Sequence, residues 1–346
     1  MTHIKTISAF LLLCLSTACM NKSKESITPT PASATSNSIQ LRTASSWRNN
    51  LTFQTRTGRT NLFDIRNFTD CPPTPLIISF FPGGFTAGDK ADMRPGASNI
   101  MVGYLTEDQL ESQQIAYATP NYNKLYASPS GSNIGVANPL NECLDFVNYM
   151  CANAAQYNID PNKIILMGSS AGASTSLWIG LQNNLTTHPI KGIVAICPQA
   201  SLNILEWRDQ VYAPFGQTGT YDAYITSPAN SILIDPNYIS LLYGTYFSPY
   251  YAPVNAAYII QGNKIKTYCN NNHLSYMNLM DSNDPELYLT SFGDITDLLH
   301  QSCHVYALQQ RAQQKGLRSA IYFTSSPSYS APQPSVISFC VRKFNE

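Results

Sequence analysis

Charge is scarce in this 346-residue chain: Asp, Glu, Lys and Arg make up 12% of it, about half the share usual in soluble domains. Neither sign dominates, with 21 basic and 21 acidic residues. The chain therefore lacks the electrostatic footprint of a nucleic-acid binder, and no such partner is expected. No Cys-x-x-Cys pair occurs among the nine cysteines, which removes the common thiolate zinc spacings. Histidines and carboxylates are not grouped at ligand spacing, so no metal is expected. The loop at Gly83-Gly84 lacks the Lys-Ser/Thr of a phosphate cradle, so no nucleotide cofactor is expected either. No internal repeat is present. Beyond the N-terminal segment, no apolar run reaches transmembrane length. Histidine is rare too: there are five, and none follows His304.

What is present begins with a targeting signature. Lys5 precedes a short apolar stretch, Ile7 to Leu15, too short to span a bilayer. It ends in Leu15-Ser16-Thr17-Ala18-Cys19, which resembles a bacterial lipobox with Ser16 where Leu is usual. Residues 1–19 are thus expected to be a signal peptide, with Cys19 the lipidated residue. An ordinary secretory signal is the alternative. Residues 20–46, rich in Ser, Thr, Pro and Ala, are expected to be a flexible tether. The folded domain, 47–346, is then exported, and its only membrane contact is the lipid anchor. Seven cysteines remain after the signal, an odd number, so at least one is free or intermolecular. Cys143 and Cys197 sit in apolar surroundings that suit core residues.

From Trp47 onward, strands and helices alternate. Residues 51–54 and 62–65 are expected to be strands around a hairpin-like turn at Thr57-Gly58-Arg59. The runs 76–81, 115–120, 164–169, 190–197, 286–292 and 319–323 are also expected to be strands. Several are apolar throughout, as strands covered on both faces should be. Helical spacing marks 99–113, 140–157, the stretch after Ser170, 298–315 and 336–344. The alternation implies an α/β fold with a mostly parallel sheet between helical layers. Residues 203–283 break the pattern. Rich in Tyr, Pro and Asn, they are expected to form an insertion over the active-site edge of the sheet.

The chemistry centres on Gly168-Ser169-Ser170-Ala171-Gly172. A buried strand precedes it and a small-residue helix follows, the context of a nucleophile elbow. Such a turn strains the serine backbone and lifts its hydroxyl above the sheet, while the helix N-terminus faces any developing negative charge. A serine nucleophile needs a base and a site for the oxyanion. Gly83 and Gly84 follow a buried strand and can supply N–H donors, with Ala171 as a third.

These features together resemble an α/β-hydrolase of the carboxylesterase/lipase type, over about Leu51 to the end. The residues that carry the resemblance are Leu76 to Lys90, Tyr157-Asn158-Ile159-Asp160-Pro161 and the elbow. The family's His-Gly-Gly-Gly-Phe oxyanion loop reads Phe81-Pro82-Gly83-Gly84-Phe85 here, without the His. The resemblance implies a three-layer α/β sandwich with a cap-like insertion before the acid strand, and it maps the triad acid onto Asp294. Asp297 is the better candidate to cap the following helix. It also implies a histidine after the last strand, but residues 324–332 contain none. His3 lies in the signal, and His188 lies on the side of the sheet away from the elbow. The base, if it is a histidine, is then His273, His300 or His304, with His300 and His304 just beyond Asp294. Each could instead be a satisfied structural side chain. The resemblance implies hydrolysis of carboxylic esters, on a small molecule or an acylated glycan. The absent C-terminal histidine leaves an alternative: a catalytically impaired homologue serving as a surface binding module.

Overall fold

The computed structural model describes residues 46–95, 105–125, 135–226, 236–244, 256–291, 298–323 and 335–346. The signal segment with Cys19, most of the tether, and the stretches holding Asp294, Asp297 and 324–334 lie outside the described residues.

The elements run β1 (Arg48–Gln54), β2 (Thr60–Arg66), β3 (Thr74–Phe80), α1 (Glu107–Ser112), β4 (Ala116–Pro120), α2 (Ala137–Ala152), α3 (Ala154–Tyr157), β5 (Ile159–Ser169), α4 (Ala171–Gly180) and β6 (Ile190–Ile196). Then follow α5 (Thr218–Thr226), α6 (Pro236–Tyr243), α7 (Ala256–Asn271), α8 (Tyr276–Leu279), β7 (Glu286–Ser291), α9 (Ser302–Gln314), β8 (Ser319–Phe323) and α10 (Val336–Asn345). The eight strands form one sheet in the order β1-β2-β4-β3-β5-β6-β7-β8. The β1–β2 hairpin pairs antiparallel, as does β2 with β4; every later pair is parallel. This is the mostly parallel α/β sheet that the alternation implies.

Strand alternation divides the core into two layers. Leu76, Ile78, Leu166, Ile193 and Leu289 pack on one face, with α2 and α4. Ile77, Ile165, Met167, Val194 and Tyr288 pack on the other, with α10. Both faces are covered, so the central strands are apolar along their length. All ten residues of α4 are buried, as expected of a helix enclosed by its neighbours rather than lying at the surface.

Three boundaries differ from those expected from spacing alone. The long helical pattern after Leu140 breaks at Asn153 and ends at Asn158, which adopts the left-handed conformation with φ 51°. The Asn158 side-chain amide donates to the carbonyls of Phe68 and Cys71, each at 2.9 Å. β5 therefore begins at once, at Ile159, rather than after Asn162. The 203–283 stretch carries α5 to α8 and no strand among its described residues. Finally, α9 starts at Ser302 rather than Leu298, with Gln301 in the cap position. Residues 298–300 form a turn instead. The cap position expected at Asp297 therefore falls to Gln301.

Candidate active site

The elbow is built by close approach of backbones. A Cβ on Gly168 would lie 2.2 Å from the Gly172 carbonyl oxygen, and one on Gly172 would lie 2.0 Å from that of Phe80. Neither position tolerates a side chain without moving main chain, so glycine is required at both. Between them Ser170 sits at φ 51°, ψ −114°. A non-glycine residue held there stores roughly 1–3 kcal/mol of strain. Its N–H donates to the Ile196 carbonyl at 2.9 Å, and its carbonyl accepts from Ser174 N–H at 2.9 Å. The serine is thus fixed to β6 on one side and to the first turn of α4 on the other.

The glycine loop leaves β3 beside this turn, since Phe80 pairs with Gly168 across the sheet. Gly83 adopts φ 113° and Gly84 φ 60°. The Gly83 carbonyl turns away to accept the N–H groups of Thr86 and Ala87, both at 3.0 Å. Among the described residues, no hydrogen bond takes up the N–H of Gly83 or Gly84. The Gly84 carbonyl accepts the Tyr238 hydroxyl at 3.0 Å. Tyr122 stacks on Phe81, with ring centroids 4.1 Å apart. Beyond the loop, Lys90 is buried against Asp64, Nζ to Oδ2 3.2 Å. Its N–H donates to Asn121 Oδ1 at 2.8 Å.

The histidines separate clearly. His300, half-buried in the turn before α9, brings Nε2 to 2.9 Å from Ser170 Oγ. His304, with no exposed surface, lies edge-on to Trp207 and Tyr212, with centroid separations of 4.7 and 5.8 Å. Its Nδ1 accepts the Ala200 N–H at 3.1 Å, and its Nε2 faces the Leu298 carbonyl at 3.0 Å. A backbone donor on one nitrogen and a backbone acceptor on the other define a neutral imidazole protonated at Nε2. Neither nitrogen is left to receive a proton from Ser170. His273, at φ 55°, lies at the C-terminal end of α7, where its N–H donates to the Asn270 carbonyl. His188 is half-buried near the start of β6, with Nδ1 3.2 Å from Asn162 Oδ1.

The turn that carries His300 is held by groups that spacing does not reveal. Leu298 O accepts the Tyr212 hydroxyl at 2.6 Å as well as His304 Nε2–H. Leu299 O accepts Gln199 Nε2–H at 3.0 Å. With the carbonyls of Leu298 and Leu299 so engaged, this turn does not join α9. Gln199, Tyr212 and Tyr238 stand in no motif, and only the unusual Tyr content of the insertion hinted at any of them. None of the seven described cysteines forms a disulfide, and Cys143 and Cys197 are buried.

A family model described as BD-FAE matches residues 66–204, which hold the glycine loop and the elbow. No curated protein matches the sequence. Among solved structures, the chain is similar to a truncated carbohydrate esterase from gut microbiota, with a TM-score of 0.59 and 14% identity, over 87% of this chain and 97% of that one. It is also similar to a carboxyl esterase from the mycorrhizal fungus Tuber melanosporum, with a TM-score of 0.54 and 18% identity, over 89% and 88% of the two chains. A bacterial heroin esterase aligns with a TM-score of 0.52 and 17% identity, over 89% and 85%.

Proposed function

We propose, on the premise that this chain has the α/β-hydrolase fold, that it is a serine hydrolase of carboxylic esters with Ser170 as nucleophile and His300 as base. The observation that carries this reading is the 2.9 Å contact between His300 Nε2 and Ser170 Oγ, made at a strained strand-to-helix turn. That distance is within the reach a general base requires.

In this mechanism His300 Nε2 takes the hydroxyl proton as Ser170 Oγ attacks the ester carbonyl. The oxyanion that forms is met by the N–H groups of Gly83, Gly84 and Ala171. Collapse breaks the C–O bond of the ester, and His300 returns the proton to the leaving alcohol. Water then attacks the acyl-serine by the same route. Asp294 is the proposed acid that orients His300 and stabilises its cationic form. The substrate is a small-molecule ester or an acylated glycan. Export, with lipidation at Cys19, would set the enzyme on the outer side of a membrane.

Incubating the mature domain with a fluorophosphonate probe and a short-chain nitrophenyl ester tests the reading. Labelling and turnover lost in Ser170→Ala support it. If the wild-type chain and Ser170→Ala are equally inert, the binding-module alternative replaces it.

A further inference from the structure

We infer that Gln199 is a positioning residue that sets the distance between nucleophile and base, an inference that rests on Ser170 and His300 acting together. Ser174 lies one helical turn beyond Ser170 and is bonded to it through the backbone. Its hydroxyl donates to Gln199 Oε1 at 2.9 Å. The same amide donates through Nε2 to the carbonyl of Leu299 at 3.0 Å, the residue that precedes His300. Gln199 thus ties the nucleophile helix to the base-bearing turn through one side chain. Ser174 has no exposed surface and Gln199 is 4% exposed, so water does not stand in for either bond.

The amide can lie only one way round. Leu299 O accepts and never donates, so it must face the NH2 group, which leaves Oε1 for the Ser174 hydroxyl. A carboxylate would set an oxygen against an oxygen at Leu299. The adjacent residue repeats the pattern, because Ala200 N–H holds His304, which in turn bonds Leu298 O. Two successive carbonyls of the turn are therefore clamped from the segment after β6. The turn needs this clamp because its carbonyls accept side-chain donors in place of helical N–H groups. A misplacement of about 1 Å at a reacting pair costs on the order of 100-fold in rate.

The test compares wild type with Gln199→Met, which keeps the length but removes both bonds, and Gln199→Glu, which keeps only the acceptor. With a nitrophenyl ester, kcat is expected to fall roughly 10- to 100-fold in both, with KM within about twofold. The second readout needs no turnover. The imidazole C2–H resonance of His300, assigned with His300→Gln, should shift on Ser170→Ala in the wild-type background and no longer respond to it in the Gln199→Met background. If Gln199→Met fails to fold, Ser174→Ala, which cuts one link only, takes its place in both measurements. Unchanged kcat in a folded variant, or a His300 resonance that still responds to Ser170→Ala, overturns the assignment. An inert wild type whose His300 resonance follows the expected pattern would defeat the esterase reading while leaving the positioning role standing.

Discussion

Replacing His300 and His304 separately should divide activity from stability. The two rings are four residues apart in sequence but occupy opposite environments. His300→Ala removes the group 2.9 Å from Ser170 Oγ at a half-buried position. Loss of a general base costs about 100- to 10,000-fold, or roughly 3–5 kcal/mol of transition-state stabilisation. The unfolding free energy should change by less than about 1 kcal/mol, as for a side chain away from the packed core. His304→Ala does the reverse. It leaves the Ala200 N–H buried without its acceptor and opens a cavity against Trp207 and Tyr212. The Leu298 carbonyl still holds the Tyr212 hydroxyl, so only one backbone group is orphaned. The unpaired donor and the cavity together cost roughly 3–5 kcal/mol, enough to lower Tm by about 5–10 °C. Steady-state hydrolysis of a short-chain nitrophenyl ester well below the melting transition, with urea or thermal unfolding of the same samples, measures both quantities. The reasoning is refuted if His300→Ala keeps near wild-type turnover. It is equally refuted if His304→Ala melts with the wild type yet loses more activity than His300→Ala.

Three further outcomes follow from packing and charge. Gly172→Ala places a methyl 2.0 Å from the Phe80 carbonyl oxygen, so it should abolish soluble expression or activity. Gly262→Ala in α7, where the added methyl meets nothing within 4 Å, should stabilise by about 0.5–1 kcal/mol, and urea unfolding of the pair checks the contrast. Tyr238→Phe removes the hydroxyl that holds the Gly84 carbonyl. It should lower kcat several-fold with little change in KM, and a loss confined to KM would instead place Tyr238 in substrate binding. Burial pushes the Asp284 carboxyl up to about 6, with the neighbouring Asp281 charge adding to it, against hydrogen bonds from Asp281 N–H and Asn183. The folded chain then holds this proton more tightly than the unfolded chain. That contribution is complete below about pH 4 and is lost as pH rises through about 6. Thermal melts from pH 4 to 7 should show the difference in Tm between wild type and Asp284→Asn moving against the wild type as pH rises.

The strands, the elbow and the glycine loop were legible in the sequence, because most of their requirements are local. Continuous apolar runs mark strands covered on both faces. Gly168 is demanded by the Gly172 backbone within the same turn, whereas Gly172 is demanded by the Phe80 carbonyl of β3, and Ser170 between them sits at φ 51°. The partner of Ser170 was beyond reach of that logic. The contact with His300 joins residues 130 positions apart, and the helical spacing from Leu298 runs through His300 without a break. Long-range packing takes the first residues of that pattern out of the helix, because Gln199, Tyr212 and His304 bind the carbonyls of Leu298 and Leu299. The same packing decided between two histidines that look alike in sequence. One has both nitrogens committed to the backbone, and the other points Nε2 at the serine.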